Sequence, residues 1–92
     1  MIKTFRHEGL RRFFATGDTS GIDPQLAAKL RRQLTVLNGS TGPQGMSLAG
    51  NRLHRLKGDR GAQWSVWVSG NWRLVFEFDD DAAVDVDLVD YH

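Results

Sequence analysis

Two clusters of basic and titratable side chains stand out in this sequence. One is the segment 52–60, Arg-Leu-His-Arg-Leu-Lys-Gly-Asp-Arg, and the other is the final Asp90-Tyr91-His92, with Arg73 between them in the chain. Imidazoles exchange protons near neutral pH because their ordinary pKa is about 6.5. Arg and Lys side chains bind phosphate oxygens. These residue types suit metal-independent cleavage of RNA, in which the 2′-hydroxyl attacks the phosphate, a base takes its proton and an acid protonates the departing 5′-oxygen.

Each of these residues also has a simpler explanation. A lone histidine such as His54 is more often structural or merely exposed than catalytic. Tyr91 could belong to a hydrophobic core, and a last residue such as His92 commonly frays into solvent. The residues alone leave both interpretations open.

Other catalytic signatures are missing from the sequence. It has no glycine-rich phosphate loop, no Gly-x-Ser-x-Gly segment and no His-Glu-x-x-His segment, and its three histidines lack metal-ligand spacing. Asp85 and Asp87 share one face of a predicted strand and could hold Mg²⁺. We expect Asp87 to pair with Arg73 across the sheet instead. The sequence therefore predicts no metal site and no cofactor.

Charge is distributed unevenly along the chain. All twelve Lys and Arg residues lie within residues 3–73, where four acids oppose them, so residues 1–73 carry +8. Residues 74–92 contain seven acids and no Lys or Arg, so they carry −7. This asymmetry is typical of a polyanion-binding surface beside an acidic segment, although the two parts could also simply neutralise each other on folding.

The length of 92 residues suits one domain, residues 1–92, with a single hydrophobic core. The absence of Cys excludes disulfides and thiolate metal sites. No apolar run approaches the roughly 20 residues of a membrane span, and the first residues do not resemble a signal peptide. We therefore expect a cytoplasmic protein that contacts no membrane.

Two helices are predicted after a short strand over residues 2–6. The first contains Leu10, Phe13 and Phe14 at helical spacing and ends at Gly17, a predicted C-cap. The second begins at Asp23-Pro24, which are typical of an N-cap and a first helical position. Its apolar stripe ends before Gly39 and comprises Leu26, Leu30, Leu34 and Leu37. Residues 40–50 form a predicted loop with Met46 and Leu48 as apolar anchors.

Strands are predicted over residues 52–57, 63–69, 72–79 and 82–91. Gly70-Asn71 is a two-residue hairpin signal, which would place Trp67 opposite Leu74. We predict a three-residue turn at residues 79–81, which places Phe76 opposite Val84, Leu74 opposite Val86 and Trp72 opposite Leu88. A two-residue turn would instead place Phe76 against Asp85 and Leu74 against Asp87, burying charge.

The order of elements predicts an α+β fold. Two N-terminal helices would pack on one face of a mainly antiparallel sheet of four to five strands. Arg73 and the end of the chain would lie on the uncovered face, where chemistry could take place.

Several segments together resemble one known family. They are Asn51-Arg52-Leu53-His54-Arg55-Leu56-Lys57-Gly58, then Asn71-Trp72-Arg73-Leu74-Val75-Phe76, and Asp90-Tyr91-His92. The combination resembles the HigB family, also described as plasmid maintenance system killer proteins, of the RelE/ParE toxin superfamily. The likeness also covers the early Phe13-Phe14 and the helix from Lys29 to Leu37.

The resemblance implies a RelE-like fold without a cofactor and ribosome-dependent cleavage of mRNA. It implies inhibition by a helix-turn-helix antitoxin of the HigA kind, with DNA contacted only through the toxin–antitoxin complex. The family's catalytic positions fall on His54, Asp90, Tyr91 and His92. Its RNA-facing basic positions fall on Lys57 and Arg73, and we add their neighbours Arg55, Arg60 and Asn71. Either His54 or His92 would be the general base, with Asp90 orienting an imidazole.

Two other functions are compatible with the same fold. A toxin of the ParE kind inhibits DNA gyrase and needs no acid or base; Asp90-Tyr91-His92 beside Arg73 argues against it. An inactive relative that only binds a partner is the other alternative. Fold alone does not separate these functions.

Overall fold

The computed structural model describes residues 1–57 and 63–91. Within them, the two α-helices are α1, Glu8–Thr16, and α2, Ala27–Asn38. Two short 3-10 helices span Pro24–Leu26 and Pro43–Met46. The strands are β1, His54–Arg55, β2, Trp64–Ser69, β3, Trp72–Asp79, and β4, Ala82–Asp90.

Both predicted helix boundaries are confirmed by their caps. Gly17 ends α1 in the left-handed conformation, with φ at 82°, and its N–H donates to the carbonyl of Phe13. The Asp23 carboxylate accepts from the backbone N–H of Gln25, so Asp23 is an N-cap as predicted. The turn that it caps is a 3-10 helix, which leads directly into α2. Gly39 follows the last residue of α2.

The sheet is an antiparallel meander in the order β1-β2-β3-β4. The leucine stripe of α2 and the apolar side of α1 join one face of this sheet in a single core. The buried core residues include Leu10, Phe13, Leu26, Leu30, Leu34, Leu37, Met46, Val66, Val68, Leu74, Phe76, Val86 and Leu88. The predicted α+β arrangement is therefore confirmed. Among the described residues no helix is long and apolar enough to cross a membrane.

The predicted register between β3 and β4 is wrong. Asp79 pairs with Ala82, so the turn contains two residues, whereas the sequence predicted three. Asp85 then adds an extra residue to β4 at a φ of 54°, opposite Phe76. This β-bulge shifts the register by one, so that Leu74 faces Leu88 rather than Asp87. The chain thus keeps charge out of the core through a bulge, not through a longer turn.

A second register shift, between Trp67 and Ser69 in β2, corrects the predicted position of Trp67. Trp67 pairs with Arg73 instead of Leu74, and Val66 takes the place opposite Leu74. Val66 and Val68 are both fully buried, whereas Trp67 is half-buried. Trp67 therefore shares the uncovered face with Arg73 instead of joining the core face.

The first residues pair with the far edge of β4. Ile2 and Phe5 form isolated parallel bridges with Ala83 and Val86, in place of the continuous strand that we predicted. Between the two bridges, the N–H of the bulge residue Asp85 donates to the hydroxyl of Thr4 instead of to a main-chain carbonyl. Of the two predicted loop anchors, Met46 is buried, but Leu48 is 50% exposed and anchors nothing.

Candidate active site

The uncovered face of the sheet carries two rows of side chains that run across the strands. Residues directly opposite each other in a sheet project to the same face. The first row is His54, Ser65, Val75 and Asp87. The second row is Trp67, Arg73 and Val89. Because neighbouring strands are about 4.8 Å apart, this register brings the predicted His54 and Arg73 to the same part of one face.

An open depression of about 370 Å³ lies on this face. Its lining residues are Arg52, His54, Leu56, Ser65, Arg73 and Tyr91. Three of them, His54, Arg73 and Tyr91, were predicted from the sequence. The structure therefore gathers an imidazole, a guanidinium and a phenol from β1, β3 and the residue after β4.

His54 is exposed on the two-residue edge strand β1. Ser65, directly opposite it on β2, is only 3% exposed and forms part of the floor of the depression. Sequence reasoning missed Ser65, although the pairing of β1 with β2 would have indicated it. An exposed imidazole above a polar floor can exchange protons with a ligand in the depression.

Arg73 is half-buried on β3, and its predicted ion pair with Asp87 is absent. Arg73 lies across from Val89, because the bulge at Asp85 moves Asp87 opposite Val75. The Arg73 guanidinium donates to the carbonyl oxygens of Gly70 and Trp72, each at 3.2 Å. Both acceptors are neutral, so the positive charge remains available to an anion.

Tyr91 follows directly after β4 and is 41% exposed. Its backbone N–H donates to the carbonyl oxygen of Asn71 at 2.8 Å. This bond continues the pairing of β3 with β4 beyond Trp72 and Asp90. Asn71 does not line the depression; its carbonyl oxygen holds Tyr91 there.

Arg52 lines the depression but was not among the predicted site residues. It adopts a φ of 51°, which is unusual for a residue with a side chain. Its guanidinium carbon lies 4.6 Å from the centre of the Trp67 ring. The glycine before Asn51-Arg52-Leu53 indicated a sharp backbone turn near Arg52, because glycine is frequent at such turns.

Besides Asn71, three predicted residues do not line the depression. Asp90 pairs with Trp72, and strand alternation places it on the opposite face from Tyr91. Arg55 pairs with Trp64, and the same alternation separates it from His54. Lys57 is exposed just beyond β1. Two further predicted residues, Arg60 and His92, lie outside the described residues.

Asp85 and Asp87 were the alternative candidates for holding Mg²⁺. One oxygen of Asp87 accepts from the N–H of Leu88, and Asp85 is the bulge residue. In the described part of the chain, no three His, Asp or Glu side chains are grouped as metal ligands. The alternative magnesium site at Asp85 and Asp87 gains no third ligand from the fold.

Comparison with known proteins identifies the family of this chain. The model of the family described as "RelE-like toxin of type II toxin-antitoxin system HigB" matches residues 3–92. The chain belongs to this HigB-like toxin family. It is also 37% identical over 92 residues to a protein of Proteus vulgaris named endoribonuclease HigB, and the match covers all of both chains.

The match to the HigB-like family covers every residue of the depression, because it begins at Lys3 and includes all six lining residues. A toxin of a type II toxin–antitoxin system has an antitoxin as its partner. The HigB-like chain must therefore present both a functional site and a surface that an antitoxin recognises.

Proposed function

We propose that this HigB-like protein is an endoribonuclease that cleaves mRNA by acid–base chemistry without a metal ion. The observation that supports this most strongly is the meeting of His54, Arg73 and Tyr91 in one depression. The full-length similarity to the endoribonuclease HigB of Proteus vulgaris points to the same activity.

The reaction needs an attacking oxygen, two proton transfers and stabilisation of negative charge. The 2′-hydroxyl of the RNA forms a new bond to phosphorus, and the bond from phosphorus to the 5′-oxygen breaks. The products are a 2′,3′-cyclic phosphate and a 5′-hydroxyl. His54 or His92 takes the proton of the 2′-hydroxyl or returns one to the 5′-oxygen. Arg73 and Lys57 stabilise the charge that develops on the phosphate oxygens.

Tyr91 and Asp90 receive different roles in this proposal. Tyr91, which lines the depression, stacks on a base or donates its hydroxyl proton to the phosphate. Asp90 lies on the other face, so we assign its orienting role to the imidazole of His92 rather than to that of His54. Arg55 and Arg60 contribute positive charge around the RNA path, and Asn71 acts through its carbonyl group.

The ribosome supplies the alignment that this small site lacks. The depression is open, and its lining residues include the Tyr91 ring and the His54 imidazole but no Phe or Trp. Single-stranded RNA is usually held by several stacked aromatic rings. Positioning of the reactants accounts for a large part of enzymatic rate acceleration. We therefore propose that cleavage occurs on mRNA in the decoding site, in the cytoplasm, and that a helix-turn-helix antitoxin of the HigA kind inhibits it.

Mapping mRNA ends after incubation with translating ribosomes tests the proposed function. Wild-type protein should produce new 5′-hydroxyl ends, and His54→Ala should lower the rate by roughly two to four decades. Arg31→Gln, on α2 away from the depression, is the matched control and should cleave normally. Varying Mn²⁺ or Zn²⁺ at a Mg²⁺ concentration that keeps ribosomes intact should leave the rate unchanged.

Three outcomes would contradict parts of this proposal. If the same mRNA were cleaved equally fast when free in solution, cleavage would not depend on the ribosome. A requirement for an added transition metal would replace acid–base chemistry by metal catalysis. Inhibition of DNA gyrase supercoiling without mRNA cleavage would replace the endoribonuclease by a gyrase-binding toxin.

A further inference from the structure

A second group of cations lies around Trp67, next to the depression. The Lys29 ammonium nitrogen is 4.0 Å from the centre of the Trp67 ring, and the Arg52 guanidinium lies over the same ring at 4.6 Å. Arg32, three residues after Lys29 on α2, lines a neighbouring hollow of about 280 Å³ together with Lys29. We call Lys29, Arg32, Arg52 and Trp67 the Trp67 cluster.

Hydrogen bonds that centre on the buried Gln33 connect the elements that carry the Trp67 cluster. Gln33, only 4% exposed, donates from its amide nitrogen to the Asn51 side-chain oxygen at 3.2 Å and to the Trp67 carbonyl at 2.9 Å. The Trp67 N–H donates to the carbonyl of Asn51, and its indole N–H donates to Gly70. These bonds tie together α2, the segment before β1, and β2, which are the elements that carry the four residues of the cluster.

The positive charges of the Trp67 cluster repel one another. Burial, together with the nearby Arg32 and Arg52, lowers the pKa of the Lys29 ammonium below its ordinary value. Both charged groups that act on the pKa of Lys29, Arg32 and Arg52, are themselves cations. Like charges held this close destabilise the free protein, and a bound anion would relieve the repulsion.

We propose that the Trp67 cluster is a second phosphate-binding site, which holds an RNA phosphodiester beside the depression while another phosphodiester is cleaved within it. Arg52 connects the two sites, since it lies over Trp67 and also lines the depression with His54 and Arg73. The proposal rests on the proposed endoribonuclease function and names the RNA contact beyond the reacting phosphate.

The flanking phosphate belongs either to the mRNA strand or to ribosomal RNA, and two binding measurements distinguish these sources. Fluorescence anisotropy with uncleavable 2′-O-methyl RNA compares a trinucleotide, which fills only the depression, with a nonanucleotide. Sedimentation with ribosomes that lack mRNA measures the contact with ribosomal RNA. The variants are Lys29→Gln and Arg32→Gln, and Arg31→Gln is the control from the same helix.

We expect Lys29→Gln and Arg32→Gln each to weaken binding of the longer RNA roughly tenfold, the effect of one lost charge-assisted hydrogen bond. Each should also lower the slope of log affinity against log salt concentration by about 0.7. Trinucleotide binding should not change. Loss confined to the ribosome measurement would assign the phosphate to ribosomal RNA. In an NMR titration, the longer RNA should raise the pKa of the Lys29 ammonium.

The proposal is overturned if both variants behave like Arg31→Gln in the two binding measurements. It is also overturned if they weaken binding of the antitoxin and not of RNA, because the cluster would then recognise an acidic protein. If the wild-type protein still binds and cleaves RNA, either of these results refutes the second phosphate site alone and not the proposed endoribonuclease function. Failure of the wild-type protein to cleave would instead refute the proposed function itself. Thermal unfolding of each variant checks that the fold is retained.

Discussion

Tyr91 donates its backbone N–H to the carbonyl oxygen of Asn71 at 2.8 Å, one residue beyond the last pair of the β3–β4 ladder. The bond joins the residue after β4 to the turn between β2 and β3. Tyr91 lines the depression together with Arg73. A residue near the end of the sequence is thus fixed by the main chain of a turn.

This bond predicts different results for two alanine variants. Asn71→Ala should cleave mRNA within about twofold of wild type, because the carbonyl group remains. Tyr91→Ala should lose roughly one to two decades in single-turnover rate, because it removes the ring from the site. The measurement is cleavage on ribosomes, with thermal unfolding as the control. A large loss in Asn71→Ala at unchanged stability would show instead that its side chain binds RNA.

A second prediction concerns Arg73, whose charge is not engaged by Asp87. Arg73→Ala should lower the cleavage rate by about two to three decades, the usual effect of removing one transition-state cation. The melting temperature should change little, because Arg73 faces Val89 and its hydrogen bonds go to partly exposed carbonyl groups. Arg73→Lys should recover part of the rate, since it keeps the charge but not the planar fork. A lowered melting temperature with a normal rate would make Arg73 structural.

The sequence predicted the elements better than it predicted their register. Helical spacing at Leu30, Leu34 and Leu37 identifies a buried stripe, because it depends only on local periodicity. The two β-bulges are not visible in such a pattern. A bulge at Asp85 requires an unusual backbone conformation, which Asp adopts more readily than most residues but does not demand. The choice is made by core packing across the sheet, which a single strand does not reveal.

The candidate site shows the same limit. His54, Arg73 and Tyr91 were found from residue type and family resemblance. Arg52 was missed because its role depends on Trp67, and Trp67 was placed on the wrong face of the sheet. One unrecognised register shift in β2 therefore concealed the Trp67 cluster.

The third prediction concerns acid stability and Asp18. The backbone N–H and the hydroxyl of Ser20 both donate to this carboxylate, each at 3.0 Å, and these bonds hold the pKa of Asp18 below its ordinary value. The charged form therefore stabilises the fold above the unfolded pKa, near 4, and this contribution disappears as the pH falls through the lower folded pKa. Melting temperatures of wild type and Asp18→Asn should differ at neutral pH and converge as the pH falls below the lowered folded pKa of Asp18. A constant difference at all pH values would show that ionisation of Asp18 is irrelevant.

The bulge at Asp85 supplies the last prediction. Because Asp85 has a φ of 54°, a β-branched side chain is strongly disfavoured there and glycine is not. Asp85→Val should lower the free energy of unfolding by about 1–2 kcal/mol, whereas Asp85→Gly should be neutral or stabilising by up to about 1 kcal/mol. Chemical denaturation of both variants measures this difference, and Asp87→Val, at an ordinary strand position on the same side of the turn, is the control. If Asp85→Val were as stable as Asp85→Gly, the bulge would be absent. The register of β3 with β4 beyond Phe76 would then have to differ from the pairing of Leu74 with Leu88.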